Sequence, residues 1–294
     1  MKLTGSMCAI VTPFRNGAID AGALERLIEY QIQNGTSAIV PCGTTGESAT
    51  LSHDEHHEVI ALTIKFVRKR VPVIAGTGSN STSEAISLTK FAKEWGADAA
   101  LLITPYYNRP TQEGLYAHYM SVAEAVDLPL VLYNVPSRTA VNLAPETVAR
   151  LAQHPNIVAI KEASGSTDYV SQLRLLCDIT ILSGNDNMTL PLMALGAEGV
   201  ISVLANVAPR HCAELVEAAA QGDWTRAREL HYQTFPLVEA LFAETNPIPV
   251  KAALAMMGMI SPEIRLPLTH ISEKAAPRLR AELQRLGLLE GAAS

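Results

Sequence analysis

The sequence is poor in aromatic residues, at 5%, and its four cysteines are scattered as Cys8, Cys42, Cys177 and Cys212. No CxxC pair or zinc-type spacing joins them, which argues against a disulfide framework or a metal knuckle. With 48% hydrophobic residues, the core must be mainly aliphatic, and Cys8, Cys42 and Cys177 fall in apolar runs where they read as small buried hydrophobes. A basic excess is also missing. The net charge is −6, from 23 basic and 29 acidic residues, whereas a nucleic-acid footprint is normally basic. The longest apolar tract, near 188–208, is broken by Gly196, Glu198, Gly199 and Asn206, so it does not read as a membrane span. The first residues, MKLTGSMCAIVTPFR, lack the apolar length and cleavage pattern of a secretion signal. These absences together predict a soluble, cytoplasmic protein that binds neither nucleic acid nor membrane. Lysine is scarce too: eight residues against fifteen arginines.

What is present is a regular alternation. Short apolar runs lie near 6–14, 37–43, 71–78, 97–105, 128–136, 157–164, 179–185 and 199–207. Most are continuously hydrophobic, as expected of parallel strands covered on both faces. Helical patterns separate them, with Asp20 as a cap, S-x-x-E capping boxes at Ser52/Glu55 and Ser81/Glu84, and Gly35, Gly96 and Gly222 as stops. Eight strand–helix units without a breaking linker predict an α/β fold, the (β/α)8 TIM barrel, over residues 1–223. A doubly wound sheet is the structural alternative. The strand runs then stop, and residues 224–294 predict a C-terminal helical extension packed on the barrel.

In such a barrel the chemistry sits at the C-terminal ends of the strands. The polar residues gather there: GTTGES at 43–48, PYYNRP at 105–110, YNVPSR at 133–138, IKEASG at 160–165 and SGND at 183–186. Lys161 is the sharpest signal, because it follows Ile157, Val158, Ala159 and Ile160 while the other seven lysines lie in the N-terminal tail or in helical stretches. A Lys snorkelling to solvent or pairing with Glu162 is the plain alternative. Strand alternation weighs against the pairing, since neighbours point to opposite faces. An amine that attacks a carbonyl must lose its proton, and burial favours the neutral form. Tyr133 ends the preceding strand and could relay protons in the same space. The glycines of GTTGES allow backbone amides to converge on an anion. GTGSNS at 76–81 has Ser81 where a dinucleotide fingerprint needs its third glycine, so nicotinamide binding is rejected. HDEHH at 53–57 is not HExxH, lacks a second ligand group, and reads as a solvated first helical turn rather than a metal site.

With these residues assembled, the chain resembles the dihydrodipicolinate synthase family of the pyruvate-dependent class I aldolase superfamily. The resemblance runs through VTPF, GTTGESATL, AGTGSNST, TPYYNRPTQEGLY, YNVPSRT, IKEASG, GVISV, NPIPVK and RLP. YYNRPTQEGLY together with YNVPSRT is the most specific part. The resemblance implies a lyase in which Lys161 forms a Schiff base with pyruvate and the enamine attacks aspartate-semialdehyde, in the diaminopimelate route to lysine. It implies a proton relay of Tyr133, Thr44 and Tyr107, with Tyr107 reaching into a neighbouring subunit's site. It also implies pyruvate binding by Thr45 and by backbone groups of Gly184 and Ile201, and capture of the semialdehyde carboxylate by Arg138. No metal or organic cofactor is implied. A homotetramer of two tight dimers is implied, with feedback by lysine at Ser48, Ala49, His53, His56, Asn80, Glu84 and Tyr106. One departure is Asn185, where the family commonly has a carboxylate. N-acetylneuraminate lyase and 2-keto-3-deoxy-sugar acid aldolases would share Lys161 and Tyr133 but not normally Arg138. A catalytically silent, small-molecule-sensing barrel is the alternative from another class.

Overall fold

A computed structural model of the chain describes residues 3–289. Met1 and Lys2 of the expected barrel span and the last five residues of the expected C-terminal extension lie outside the described residues. Eight strands form one parallel sheet: β1 (Gly5–Ala9), β4 (Ala38–Val40), β5 (Ile74–Gly76), β6 (Ala99–Ile103), β7 (Leu130–Asn134), β8 (Ile157–Glu162), β9 (Thr180–Ser183) and β10 (Gly199–Ser202). Their order is β4-β1-β10-β9-β8-β7-β6-β5. The two ends meet through a parallel bridge between Ile39 and Val73, with Ile39 N–H donating to the Pro72 carbonyl and Gly76 N–H to the Pro41 carbonyl. The sheet is thereby closed into a (β/α)8 barrel, as the alternation predicts. The strands are shorter than the apolar runs because each run continues into the loop that lines the barrel mouth.

A small hairpin of β2 (Phe14–Arg15) and β3 (Ala18–Ile19) was not anticipated. Its turn residues Asn16 and Gly17 have φ of 54° and 80°, the twist that a two-residue hairpin loop requires.

Strand alternation sorts the side chains into two sets. Met7, Val40, Ile74, Leu101, Val131, Tyr133, Ala159, Leu182 and Ile201 share the interior cluster. Leu102, Leu132, Ile160, Ile181 and Val200 face the surrounding helices instead. Each fully buried aliphatic side chain contributes roughly 1.5–3 kcal/mol by leaving water.

The helices begin with α1 (Ala21–Gln33), capped by the Asp20 carboxylate, and α2 (His53–Val67), whose Ser52/Glu55 capping box forms as expected. α3 (Thr82–Trp95) ends at Gly96 in the left-handed region, but the capping box expected at its start does not form. The Glu84 side chain turns away to accept from the Ser79 hydroxyl and to meet His53. Around the barrel follow α4 (Gln112–Ala125), the short α5 (Pro136–Thr139) and α6 (Pro145–Leu151), α7 (Thr167–Leu176), α8 (Thr189–Ala194) and α9 (Pro209–Ala220). Beyond them lie α10 (Trp224–Leu241), α11 (Ile248–Met256) and α12 (Ala276–Arg285). Leu237, Leu241, Val250, Leu254, Leu279 and Leu283 join Leu24, Leu27 and Ile28 of α1 in one buried cluster. The late helices therefore complete the core on the α1 side. Cys8, Cys42 and Cys212 are buried, whereas Cys177, at the C-cap of α7, is half-exposed, against expectation. Among the described residues, no helix is long and apolar enough to cross a membrane.

Candidate active site

Lys161 and Ala159 lie on the same face of β8, and Ala159 belongs to the barrel interior. Lys161 therefore points inward at the strand's end, and it is only 6% exposed. In register beside it stands Tyr133 of β7, and the Lys161 Nζ lies 4.2 Å from the centre of the tyrosine ring. Glu162 points the other way, accepting from Asn134 Nδ2 at 2.9 Å and Ser164 N–H at 2.6 Å. Burial raises its pKa, with those hydrogen bonds opposing. The expected separation of Lys161 from Glu162 follows from the pleat.

Gly184 closes the next side. A Cβ placed there would sit 3.2 Å from Lys161 Cε and 2.7 Å from Ala163 Cβ, so the lysine stem has room only because this residue is glycine. Ile201 is fully buried on β10. Asp186, which the sequence places on the rim within SGND but gives no role, is buried. It accepts from the Ser202 hydroxyl at 2.5 Å and from the Val203 and Leu204 amides at 3.0 Å each. Burial raises its pKa; those hydrogen bonds and the charge of Lys161 pull the other way.

The GTTGES turn follows β4. Gly46 N–H donates to the Gly43 carbonyl and Glu47 N–H to the Thr44 carbonyl. Thr12 Oγ1 fixes the Gly46 carbonyl at 2.7 Å. A Cβ on Gly46 would come within 3.0 Å of Cys42 N, which explains glycine at that position. Asn246 Nδ2 donates to Thr45 Oγ1 at 3.0 Å, and Arg138 Nη2 donates to the Asn246 carbonyl at 3.2 Å. Asn246 thus ties the turn to the arginine, a link with no signal in the spacing of the sequence beyond the NPIPVK motif.

A cavity of about 470 Å³ opens above this turn. Its wall includes Thr44, Arg138, Thr139 and Asn246 together with Ser48, Ala49, His53, His56, Glu84 and Tyr106. Lys161 and Tyr133 are not part of that wall. The structure thus brings Thr44 and Arg138 together with six of the seven residues expected to bind an effector. Asn80, the seventh, holds the Tyr106 carbonyl through its side-chain amide at 3.1 Å. Tyr107 is not brought to the Lys161–Tyr133 pair: it is 90% exposed, with φ of 71°.

The HDEHH segment differs from its expected solvated turn. His53 is exposed and meets Glu84 at 3.3 Å. His56 is buried, and burial, aided by the neighbouring His57, pushes its pKa down to about 4. His57 stacks on Phe91 at 3.7 Å between ring centres. Among the described residues, no group of three or more His, Cys, Asp or Glu side chains is placed to hold a metal ion.

Sequence reasoning also missed a buried ion pair. Lys251 of α11, which reads from the sequence as an ordinary helical lysine, is as hidden as Lys161. Its ammonium bonds to the Glu47 carboxylate, and both side chains are 1% exposed. Burial lowers the Lys251 pKa while Glu47 opposes the shift. The apolar stretch before it, IPV, was the available signal.

The dihydrodipicolinate synthetase family model matches residues 2–286. The chain belongs to that family. A 4-hydroxy-tetrahydrodipicolinate synthase from Syntrophus aciditrophicus is 60% identical over 287 residues, covering 97% of this chain and 99% of the relative. Two solved family structures are similarly close in shape. A dihydrodipicolinate synthase from Acinetobacter baumannii, complexed with pyruvate, is 51% identical with a TM-score of 0.96, covering 98% of this chain and 100% of that one. An enzyme from Cyanidioschyzon merolae with lysine bound is 42% identical with a TM-score of 0.94, covering 97% and 99%. Family membership gives the inward Lys161 and its tyrosine neighbour a chemical context.

Proposed function

We propose that this chain is a 4-hydroxy-tetrahydrodipicolinate synthase, condensing pyruvate with L-aspartate-4-semialdehyde through an imine on Lys161. The observation that carries this reading is the buried amine at the end of β8, held 4.2 Å from the Tyr133 ring, in a chain 60% identical to a synthase of that name.

The Lys161 amine adds to the ketone carbon of pyruvate, and water leaves to give the imine. Loss of a methyl proton turns the imine into an enamine, with the positive nitrogen acting as the electron sink. The enamine carbon then attacks the aldehyde carbon, forming the new carbon–carbon bond as the aldehyde oxygen takes up a proton. Finally the substrate's own amine displaces Lys161 from the imine carbon and closes the ring. Tyr133 and Thr44 are assigned the proton transfers, joined by Tyr107 of a second copy of the chain. Thr45, with the backbone of Gly184 and Ile201, is assigned the pyruvate carboxylate. Arg138 is assigned the carboxylate of the semialdehyde, since a planar guanidinium offers two parallel donors where an ammonium offers a point charge. Its place in the cavity wall beside Thr44 supports that role.

The same reading includes feedback by lysine in the cavity beside His53, His56 and Glu84, supported by the lysine-bound relative. It includes a tetramer of two tight dimers, supported by a tyrosine left 90% exposed in the single chain. The setting assigned is the cytoplasm, since all four cysteines are free and such compartments keep thiols reduced.

Borohydride with pyruvate tests the chemistry. Reduction should leave one pyruvate-derived adduct, mapped to Lys161 by peptide mass spectrometry and absent from Lys161→Ala. A wild-type protein that gives no adduct would sink the Schiff-base mechanism. A protein that forms the adduct but prefers sugar aldehydes to aspartate-semialdehyde would instead be a sugar-acid aldolase.

A further inference from the structure

The buried Glu47–Lys251 pair takes no part in the imine chemistry, yet it stands at the junction of three chain segments. Glu47 lies in the GTTGES turn with φ of 56° and ψ of 35°, a left-handed conformation that L residues adopt when their surroundings hold them there. One carboxylate oxygen takes the Lys251 ammonium from α11. The other accepts Arg265 N–H at 3.1 Å, from the RLP segment. Both cations cover the Phe14 ring, with Lys251 Nζ at 4.3 Å and Arg265 Cζ at 4.1 Å from its centre. Arg265 also grips Thr50, at the far end of the turn, donating to its carbonyl at 3.1 Å. From the same C-terminal region, Asn246 holds Thr45. The turn is therefore held at Thr45, Glu47 and Thr50 by Asn246, Lys251 and Arg265, all of which follow the barrel in sequence.

A buried ion pair is poor evidence for stability, since apolar residues of similar volume often replace one without loss. Its use must be sought in geometry. We propose that Glu47 and Lys251 form a positioning pair that presets the GTTGES turn, so that Thr45 and the adjacent amides receive the pyruvate carboxylate without rearrangement. The proposal rests on the pyruvate reading of the site and extends it to a residue pair outside the reacting groups. Preset donors bind a carboxylate more tightly because no ordering cost remains at the moment of binding. The pair should thus govern affinity for pyruvate rather than the rate once pyruvate is bound.

The test is the double variant Glu47→Gln/Lys251→Met, which leaves no unpaired buried charge, measured beside Asn246→Ala in the full-length protein. The double variant should raise the pyruvate KM at least tenfold while kcat at saturating pyruvate stays within threefold of wild type. Borohydride trapping should still reach completion on Lys161, but only at correspondingly higher pyruvate. Asn246→Ala should raise the pyruvate KM in the same direction. A folded double variant with an unchanged pyruvate KM, or one that loses kcat instead, overturns the proposal. So does a double variant that unfolds at assay temperature while Asn246→Ala binds pyruvate normally, because the pair would then serve stability alone. Absence of any adduct on the wild-type protein would remove the pyruvate reading itself, a failure separable from an adduct-forming wild type whose variants show no change in KM.

Discussion

Gly184→Ala is the smallest change that should disturb the reactive lysine without removing any functional group. The backbone at Gly184 is not left-handed, so alanine meets no conformational penalty and only space decides the outcome. Its Cβ would stand 2.7 Å from Ala163 Cβ, 3.1 Å from the Glu162 carbonyl oxygen and 3.2 Å from Lys161 Cε. Ordinary contact begins near 3.4 Å, so the ends of β8 and β9 must part or the lysine stem must shift. Forced overpacking of this kind costs about 1–3 kcal/mol. For a chain of 294 residues that corresponds to a fall in Tm of roughly 2–5 °C. A displacement approaching ~1 Å at a reacting atom can cost about a hundredfold in rate, so kcat/KM for pyruvate should fall roughly 10- to 100-fold. Circular dichroism melting and steady-state kinetics, run on one preparation, measure both quantities. An alanine variant that melts with the parent and retains its kcat/KM would refute the close packing of Gly184 against the lysine.

Arg138→Ala should still give the borohydride adduct with pyruvate but lose about 2–4 kcal/mol of semialdehyde recognition, since charged pairing and two hydrogen bonds disappear. Single-turnover trapping and kcat/KM for the semialdehyde separate the two steps, and a variant with normal semialdehyde kinetics would remove Arg138 from its role. Burial holds His56 and His118 neutral in the folded chain, with pKa values of about 4 for each. Their ordinary value is 6.5, so the stability they contribute is complete above pH 6.5 and is lost as pH falls from there towards 4. Melting temperatures over that window should decline less steeply in His118→Gln than in wild type, and identical slopes would contradict the assignment. Glu84→Gln should weaken inhibition by lysine in an activity assay, because the carboxylate that faces the cavity beside His53 could no longer neutralise an ammonium. Full sensitivity in that variant would move the effector elsewhere.

The barrel was legible because its strands are buried on both faces, and continuous apolar runs with capped helices between them suit a parallel sheet and little else. Lys161 was legible for a related reason: it is a lone lysine at the end of an apolar run, and the pleat sets it on the opposite face from Glu162. The hairpin at Phe14–Ile19 was hidden, since two-residue strands carry no period. The capping box expected at Ser81 failed because Glu84 had better partners in Ser79 and His53, a tertiary choice that local spacing does not encode. His56 looked solvated within HDEHH because the neighbouring polarity masked the side of α2 that faces β5. Lys251 was overlooked for the opposite reason. Lysine in a helix is ordinarily exposed, and only the distant Glu47, 204 residues away in sequence, makes its burial tolerable.

The turn from Gly43 to Thr50 lends Thr44, Ser48 and Ala49 to one cavity, while Asn246 holds its Thr45. A protein engineer seeking an enzyme that ignores its end product therefore has little freedom there. On the proposed reading, deleting or grafting the loop would remove Thr44 and Thr45 together with Ser48 and Ala49, and so strip substrate binding and feedback at once. On the same reading, relief from feedback belongs to side chains rooted elsewhere, on α2 and α3, where His53 and Glu84 can be exchanged while the backbone of Thr44 and Thr45 is left in place.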